Sequence, residues 1–393
     1  MAALVTLTGC ALALPYAPRQ VRTLPGVQRV VAAVDRMPLP WRAHLPDFLP
    51  APIAEPASSE AGSLPALASP PATPAPQATL EGPLPPSVKL DGVRHQWQTW
   101  NNCGPATITM ATSFFGRKET QADAARFLKP NEEDNNVSPH ELAAYARSVG
   151  LEAEWRVGGD LTRLKQLLAA KIPVVVEVWI APAPNDWMGD YRLLVGYDDR
   201  AGQFSSFDSV TPPGSNLSQP YARFDEDWRV FNRTYIPIYT KEQAPVVVKI
   251  LGMDRDDRVM YERALAAARR EVLMTPEDGF AWFNVGSSLA ALGRHLEAAQ
   301  AFDKARAMRL PWRMLWYQFA PFETYLAVGR AEDVLSLTGV NLQRTTDLEE
   351  SHFYRGKALQ AQGKTAEARA SFQAALKANA KFTLAQQALA GLG

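Results

Sequence analysis

One cysteine in the body of the chain stands where a nucleophile could be activated. Cys103 lies within residues 98–107, and Thr107, Met110 and Phe114 follow it at steps of four, three and four. This spacing predicts a helix that begins near Cys103. Backbone N–H groups and the dipole at a helix N-terminus favour an anion, so a thiol there should lose its proton more readily. The position predicts a nucleophile, and a buried cysteine that only packs is the alternative.

The neighbouring residues also fit the start of a helix. Asn101 or Asn102 could cap it, and Pro105 falls in the first turn, where proline is tolerated. Apolar periodicity and runs of β-branched residues predict further elements: helices over 119–128, 138–150 and 160–171, and strands over 173–180, 191–198, 203–208 and 234–239. Residues 225–232, which include Trp228, are expected to cover the sheet. Helices followed by antiparallel strands indicate an α+β fold for this domain.

Several motifs in a fixed order resemble one peptidase family. They are WNNCGPAT around Cys103, SPHELA from residue 138 followed by Gly150, KIPVVV from residue 171, YRLLVGYDD from residue 191 and FD at residues 207–208. Together they resemble the bacteriocin-leader-type cysteine peptidases, peptidase family thirty-nine and its relatives, as far as about Thr240. The resemblance implies a papain-like fold, in which Cys103 is the nucleophile and its helix packs across the sheet.

The residue that should act as the base departs from the family's pattern. The resemblance places a catalytic histidine directly before Tyr191, where this chain has Asp190. An unperturbed aspartate, with a pKa of about 3.9, is poorly matched to accepting a thiol proton near neutral pH. Asp208 aligns with the carboxylate that orients the histidine. If both carboxylates lie close together, their repulsion would raise one pKa, and Asp190 could then serve as a base.

Other side chains near the cysteine are candidates for supporting roles. The resemblance implies that Gln98 donates to an oxyanion, with Gln96 in reserve and a surface glutamine as the alternative. His95 and His140 are the two histidines that could replace the missing base. The sequence has no cluster of histidine and cysteine at ligand spacing, so no metal and no other cofactor is predicted.

The N-terminal residues predict export. Residues 7–10 resemble a bacterial lipobox, which predicts lipidation of Cys10 within a signal over residues 1–15; an unlipidated signal and a chance match are the alternatives. Residues 16–86 are rich in proline and alanine and predict a semi-rigid linker or a tail. The expected location is the cell envelope or the exterior, with membrane contact only through the lipid. With 41 basic and 41 acidic residues, the chain gives no indication of a nucleic-acid partner.

The C-terminal residues 246–393 contain a tandem pattern. Large and small residues alternate in the same order in two copies, Trp282, Gly286, Leu289, Gly293, Ala298, Phe302 and Ala305, then Gly356, Leu359, Gly363, Ala368, Phe372 and Ala375. This order resembles the tetratricopeptide repeat and predicts an all-α domain. Such repeats form a concave groove that commonly binds a protein partner, although they could merely brace the first domain.

Three functions are consistent with these features. The domain over 87–245 could be a cysteine peptidase that cleaves peptides or proteins, or an inactive relative that binds them. Alternatively, the repeats could act as a scaffold beside an inert first domain. The substrate cannot be read from the sequence.

Overall fold

The computed structural model describes residues 48–53, 82–131, 133–181 and 187–392. Cys10 and most of the linker predicted over 16–86 lie outside the described residues, and so do their predicted roles. Among the helices that are described, none combines the length and the apolar character that crossing a membrane requires.

An antiparallel sheet forms the centre of the first domain. Its strands are β1 (Ser87–Lys89), β2 (Glu152–Ala153), β3 (Val174–Ile180), β4 (Met188–Asp198), β5 (Gln203–Asp208), β6 (Leu217–Pro220) and β7 (Tyr235–Tyr239). They run in the order β2-β7-β3-β4-β5-β6, and β1 pairs with the end of β4. Strand β4 pairs with β3 from Met188 but with β5 only from Arg192. Residues 188–191 therefore extend beyond the end of β5.

Six helices surround this sheet, namely α1 (Cys103–Ser113), α2 (Gln121–Leu128), α3 (Pro139–Ser148), α4 (Leu161–Ala169), α5 (Tyr221–Arg229) and α6 (Ala244–Leu251). Capping residues set several of their starts. Thr120 with Asp123 and Ser138 with Glu141 form capping boxes before α2 and α3. Asp160 accepts the Arg163 N–H at 2.9 Å and so begins α4. Helix α2 therefore starts two residues later than predicted.

Helix α1 begins at Cys103, as predicted, but it is not amphipathic. Every residue from Gly104 to Ser113 is buried, because α1 packs against the sheet on one side and against α2 and α3 on others. Its threonine hydroxyls are hydrogen-bonded: Thr109 donates to the Pro105 carbonyl within the helix at 2.8 Å, and Thr107 donates to the Tyr191 carbonyl in β4 at 3.0 Å.

The C-terminal region is all helical. Its helices are α7 (Asp257–Met274), α8 (Gly279–Ala291), α9 (His295–Ala307), α10 (Ala320–Ala327), α11 (Ala331–Leu342), α12 (Glu349–Ala361), α13 (Thr365–Ala378) and α14 (Thr383–Ala390). A Cβ at Gly286 would lie 2.7 Å from the Phe302 ring, and one at Gly356 would lie 2.5 Å from the Phe372 ring. The two repeat copies thus pack through the same small–large pair, as predicted.

The two domains are joined by shared packing. Helix α6 places Val247, Ile250 and Leu251 in the core of the first domain. Trp187 and Phe231, in turn, lie in the core formed by the repeat helices. The boundary after residue 245 stays a prediction. Side chains from each side of it pack into the hydrophobic core of the other side.

Candidate functional site

Cys103 is the first residue of α1 and is partly exposed. Asn102 occupies the cap position, but its side chain makes no capping hydrogen bond and instead donates to Thr99 Oγ1 at 2.7 Å. Burial and, to a smaller extent, the nearby Asp190 raise the pKa of Cys103 to about 12, against the opposing N–H of Gly104. The Gly104 N–H at the helix start lowers the pKa of Cys103, as the position predicts, but desolvation has the larger and opposite effect.

Asp190 lies on β4 in the position where the resemblance expects a histidine. The residue is 1% exposed, and neither carboxylate oxygen has a hydrogen-bond partner among the described residues. Burial raises its pKa well above the usual value, Asp208 raises it further, and Arg192 partly opposes both. The direction of this shift agrees with the repulsion expected if the two carboxylates lie close together. The pKa values of Asp190 and of the neighbouring Cys103 thiol are both raised.

Asp208, at the end of β5, is fully buried and already engaged. Arg192 sits directly opposite it on β4 and donates from Nε at 2.7 Å. The backbone N–H groups of Val210 and Thr211 donate to its other oxygen at 2.7 and 2.6 Å. These contacts occupy the carboxylate that the resemblance assigns to orienting a histidine.

The two glutamines have different surroundings. The Gln98 side-chain carbonyl accepts the Ser209 hydroxyl at 2.9 Å, which places this residue beside Asp208 at the end of β5. The bond leaves the Gln98 amide group as the donating end of the side chain. Gln96 donates to Thr109 in α1 and accepts from the Gln121 N–H, so it joins two helices. The role of Gln98 as an oxyanion donor stays a prediction, whereas the hydrogen bonds of Gln96 connect α1 to the start of α2.

Neither candidate histidine takes the place of the base. The His95 ring bonds through Nε2 to the Asp208 main-chain carbonyl at 2.9 Å and packs on Trp97 and Phe207. Since a carbonyl only accepts, this nitrogen carries the proton. The charged groups with the largest effect on Cys103 are Asp190, Lys129 and Glu177, and His95 is not one of them. His140 lies in the first turn of α3 and is exposed there.

The sequence reasoning missed two charged residues close to Cys103. Lys129, which is buried after α2, donates to the Asn101 carbonyl at 3.1 Å, and its charge lowers the pKa of Cys103. Glu177 lies on β3 directly opposite Tyr191, and burial raises its pKa to about 8. The sequence pattern did not indicate either residue as part of the site, because Lys129 follows a helix and Glu177 lies within an apolar strand. Only the fold brings them to the cysteine.

The described residues contain no group of three or more histidine, cysteine, aspartate or glutamate side chains arranged to hold a metal ion. The chemistry available near Cys103 is that of a partly exposed cysteine with a raised thiol pKa, two buried carboxyls and one ammonium group. A thiol needs a proton acceptor to become a nucleophile. Glu177, with a pKa of about 8, could accept a proton in mildly alkaline solution.

Comparisons with known proteins agree with this architecture. Residues 89–236 match the model of the Peptidase_C39 like family, and residues 258–309 match a tetratricopeptide repeat model. A comparison with curated proteins gives no match.

Two solved structures are similar to the first domain. A Bacillus anthracis protein described as a C39-like peptidase is 16% identical; the match covers 39% of this chain and 98% of that one, with a TM-score of 0.33. The peptidase domain of ComA, a bifunctional ABC transporter of Streptococcus in a quorum-sensing pathway, is 17% identical, over 38% and 99% of the two chains, with a TM-score of 0.31. On the two family models and the observed elements, this chain joins a C39-like peptidase domain to tetratricopeptide repeats.

Proposed function

We propose that the first domain binds peptides at the Cys103 site without cleaving them. The observation that carries this proposal is the replacement of the expected histidine by Asp190, a buried carboxyl without a hydrogen-bond partner among the described residues. Arg192 forms an ion pair with Asp208, the carboxylate that the resemblance assigns to orienting a histidine. A thiol whose pKa is raised to about 12 is almost wholly protonated at neutral pH.

The test compares binding and cleavage in the full-length protein. A random decapeptide library is incubated with the wild-type chain and with Cys103→Ala, and bound and cleaved peptides are identified by mass spectrometry. We expect both proteins to retain the same peptides and to leave them intact. Cleavage by the wild type that disappears in Cys103→Ala would contradict the proposal.

Glu177 favours a second candidate function, a slow cysteine peptidase. Its pKa of about 8 would let its carboxylate accept a proton in mildly alkaline solution, and its charge already acts on Cys103. In that case Glu177→Gln should abolish the cleavage that Asp190→Asn leaves in place. Loss of cleavage in Asp190→Asn alone would instead assign the base to Asp190.

The repeats and the N-terminus extend the proposal. We propose that the repeat domain binds a protein partner, since tetratricopeptide repeats provide a concave helical groove.

We also propose that the chain is exported and is lipidated at Cys10. Membrane association of the chain produced in bacteria, and its loss in Cys10→Ala, would support the anchor. A soluble wild-type chain would count against it.

A further inference from the structure

The segment between two repeat helices lies against the cysteine domain. A 3-10 helix, Trp312–Trp316, connects α9 to α10, and Tyr317 follows it. Arg313 donates from Nη1 to the Trp187 carbonyl at 3.2 Å, and Gln318 donates to the Val230 carbonyl at 3.4 Å. These bonds fix the segment on the residue that precedes β4 and on the residue that follows α5.

Tyr317 packs directly on the first residues of β4. Its ring centroid lies 6.1 Å from that of Trp187 and 6.2 Å from that of Phe231. A Cβ at Gly189 would come within 3.2 Å of the Tyr317 ring and 3.0 Å of Phe231. The absence of a side chain at position 189 therefore lets the tyrosine approach the strand one residue before Asp190.

The same tyrosine is within electrostatic reach of the site. Burial raises the pKa of Tyr317. The nearby Cys103 and Asp190 also raise it, whereas Arg313 and the Gly189 N–H lower it. Residues 188–191 have no partner on β5, since pairing there begins at Arg192. Tyr317 itself packs on the face of β4 to which a Cβ at Gly189 would point.

We propose that the repeat domain supplies one wall of the Cys103 site through Tyr317, so that the site is complete only when both domains are present. Tyr317 is a positioning residue in this account: it excludes water from Cys103 and Asp190 and bounds the space that a peptide would enter. The role of this wall in peptide binding rests on the proposed function. The shielding of Cys103 from water can be tested without any peptide.

The experiment measures the alkylation of Cys103 by iodoacetamide against pH in the full-length protein, with the Cys103 peptide quantified by mass spectrometry. Tyr317→Ala should admit water, lower the apparent pKa of Cys103 by one unit or more and so increase its alkylation at pH 8 by about tenfold. Tyr354→Ala is the matched control, since Tyr354 is a buried repeat-domain tyrosine that packs on Phe322. It should leave the alkylation unchanged.

Two results would overturn the inference. One is a Tyr317→Ala profile within twofold of the wild type, and the other is an equal increase in Tyr354→Ala, which would indicate general loosening. If Tyr317→Ala does not fold, Tyr317→Leu replaces it: the smaller side chain should still admit water and lower the apparent pKa of Cys103, with Tyr354→Leu as control, and an unchanged pKa rejects the wall. Failure of the peptide-binding proposal would leave these alkylation results unaffected.

Discussion

At the scale of single residues, burial decides the chemistry of Cys103. The start of a helix would favour a thiolate, but desolvation and Asp190 raise the thiol's pKa to about 12. Burial and Asp208 raise the pKa of Asp190, and Asp208 is held by Arg192. We propose on this basis that the positions at which the resemblance expects proton transfer do not form a working set in this chain.

Placing a histidine at position 190 should activate the cysteine. In Asp190→His, a neutral imidazole next to Cys103 can accept the thiol proton, and the resulting ion pair should lower the apparent pKa of Cys103 by about two units or more. The measurement is the pH dependence of Cys103 alkylation. Asp190→Asn is the control, because it removes the carboxylate without supplying a base, and it should shift the pKa less. Equal shifts in both variants would mean that charge removal explains the effect.

Much of this site could be predicted from the sequence, and the rest depended on long-range contacts. The motifs around Cys103, Tyr191 and Asp208 correspond to α1, β4 and β5 in the order that the resemblance implies. Nothing local could reveal the cost of burying Cys103, because that cost depends on what packs over the helix end. Glu177 and Tyr317 come to the site from an apolar strand and from the repeats.

At the scale of elements, close contacts between helices depend on glycine. In both repeat copies the glycine of the first helix faces the phenylalanine of the second, Gly286 with Phe302 and Gly356 with Phe372. The rings of Phe302 and Phe372 are fully buried and fill the seam. The spacing of these residues predicted the pairs from sequence alone.

Adding a methyl group at these glycines should destabilise the repeats. In Gly286→Ala or Gly356→Ala the new Cβ would lie under 3 Å from a ring, so the helices must separate at a cost of about 1–3 kcal/mol. Gly339→Ala is the control: a Cβ there meets nothing within 4 Å in helix α11, so the helix should gain roughly 0.5–1 kcal/mol. Urea unfolding followed by circular dichroism measures the change. Similar midpoints for all three variants would refute this packing.

Among the strands of the sheet, the ones that were not predicted from the sequence are short. Strands β1, β2 and β6 have two to four residues and no alternating pattern long enough to detect. They exist because longer strands offer them an edge, as β4 does for β1, where Gly196 lets the Val88 carbonyl approach. Helix starts, by contrast, were set by local capping residues and could be predicted to within a few residues.

At the scale of the whole molecule, a buried acidic cluster joins the loop before α3 to the last repeat helices. Asn136 donates to Glu350 at 3.2 Å, and Asn131 donates to the Ala378 carbonyl at 3.0 Å. Burial and the nearby Glu349 together raise the pKa of Asp134 to about 8. Burial also raises the pKa of Glu350 well above its usual range. We therefore predict that the contact between the domains is sensitive to pH.

The sign of this sensitivity follows from the raised pKa of Asp134. The folded state binds the proton on Asp134 more tightly than the unfolded state does. The contribution of Asp134 to the free energy of unfolding is therefore highest below about pH 4 and is lost as the pH rises to about 8. Asp134→Asn should remove this loss and make the protein more stable than the wild type at pH 8 by about 1–3 kcal/mol. Thermal unfolding at pH 5 and pH 8 tests it, with the exposed Asp91→Asn as control. Parallel pH dependence in wild type and Asp134→Asn would exclude the mechanism.

The central claim is that this C39-like site holds an unactivated cysteine. The most direct test is the rate of Cys103 alkylation in the wild-type full-length chain between pH 6 and pH 10.5, measured on the Cys103 peptide. We predict a rate that rises through the whole range without a plateau, because the pKa of the thiol is about 12. A plateau reached below pH 8 would show a stable thiolate at neutral pH and would contradict the account.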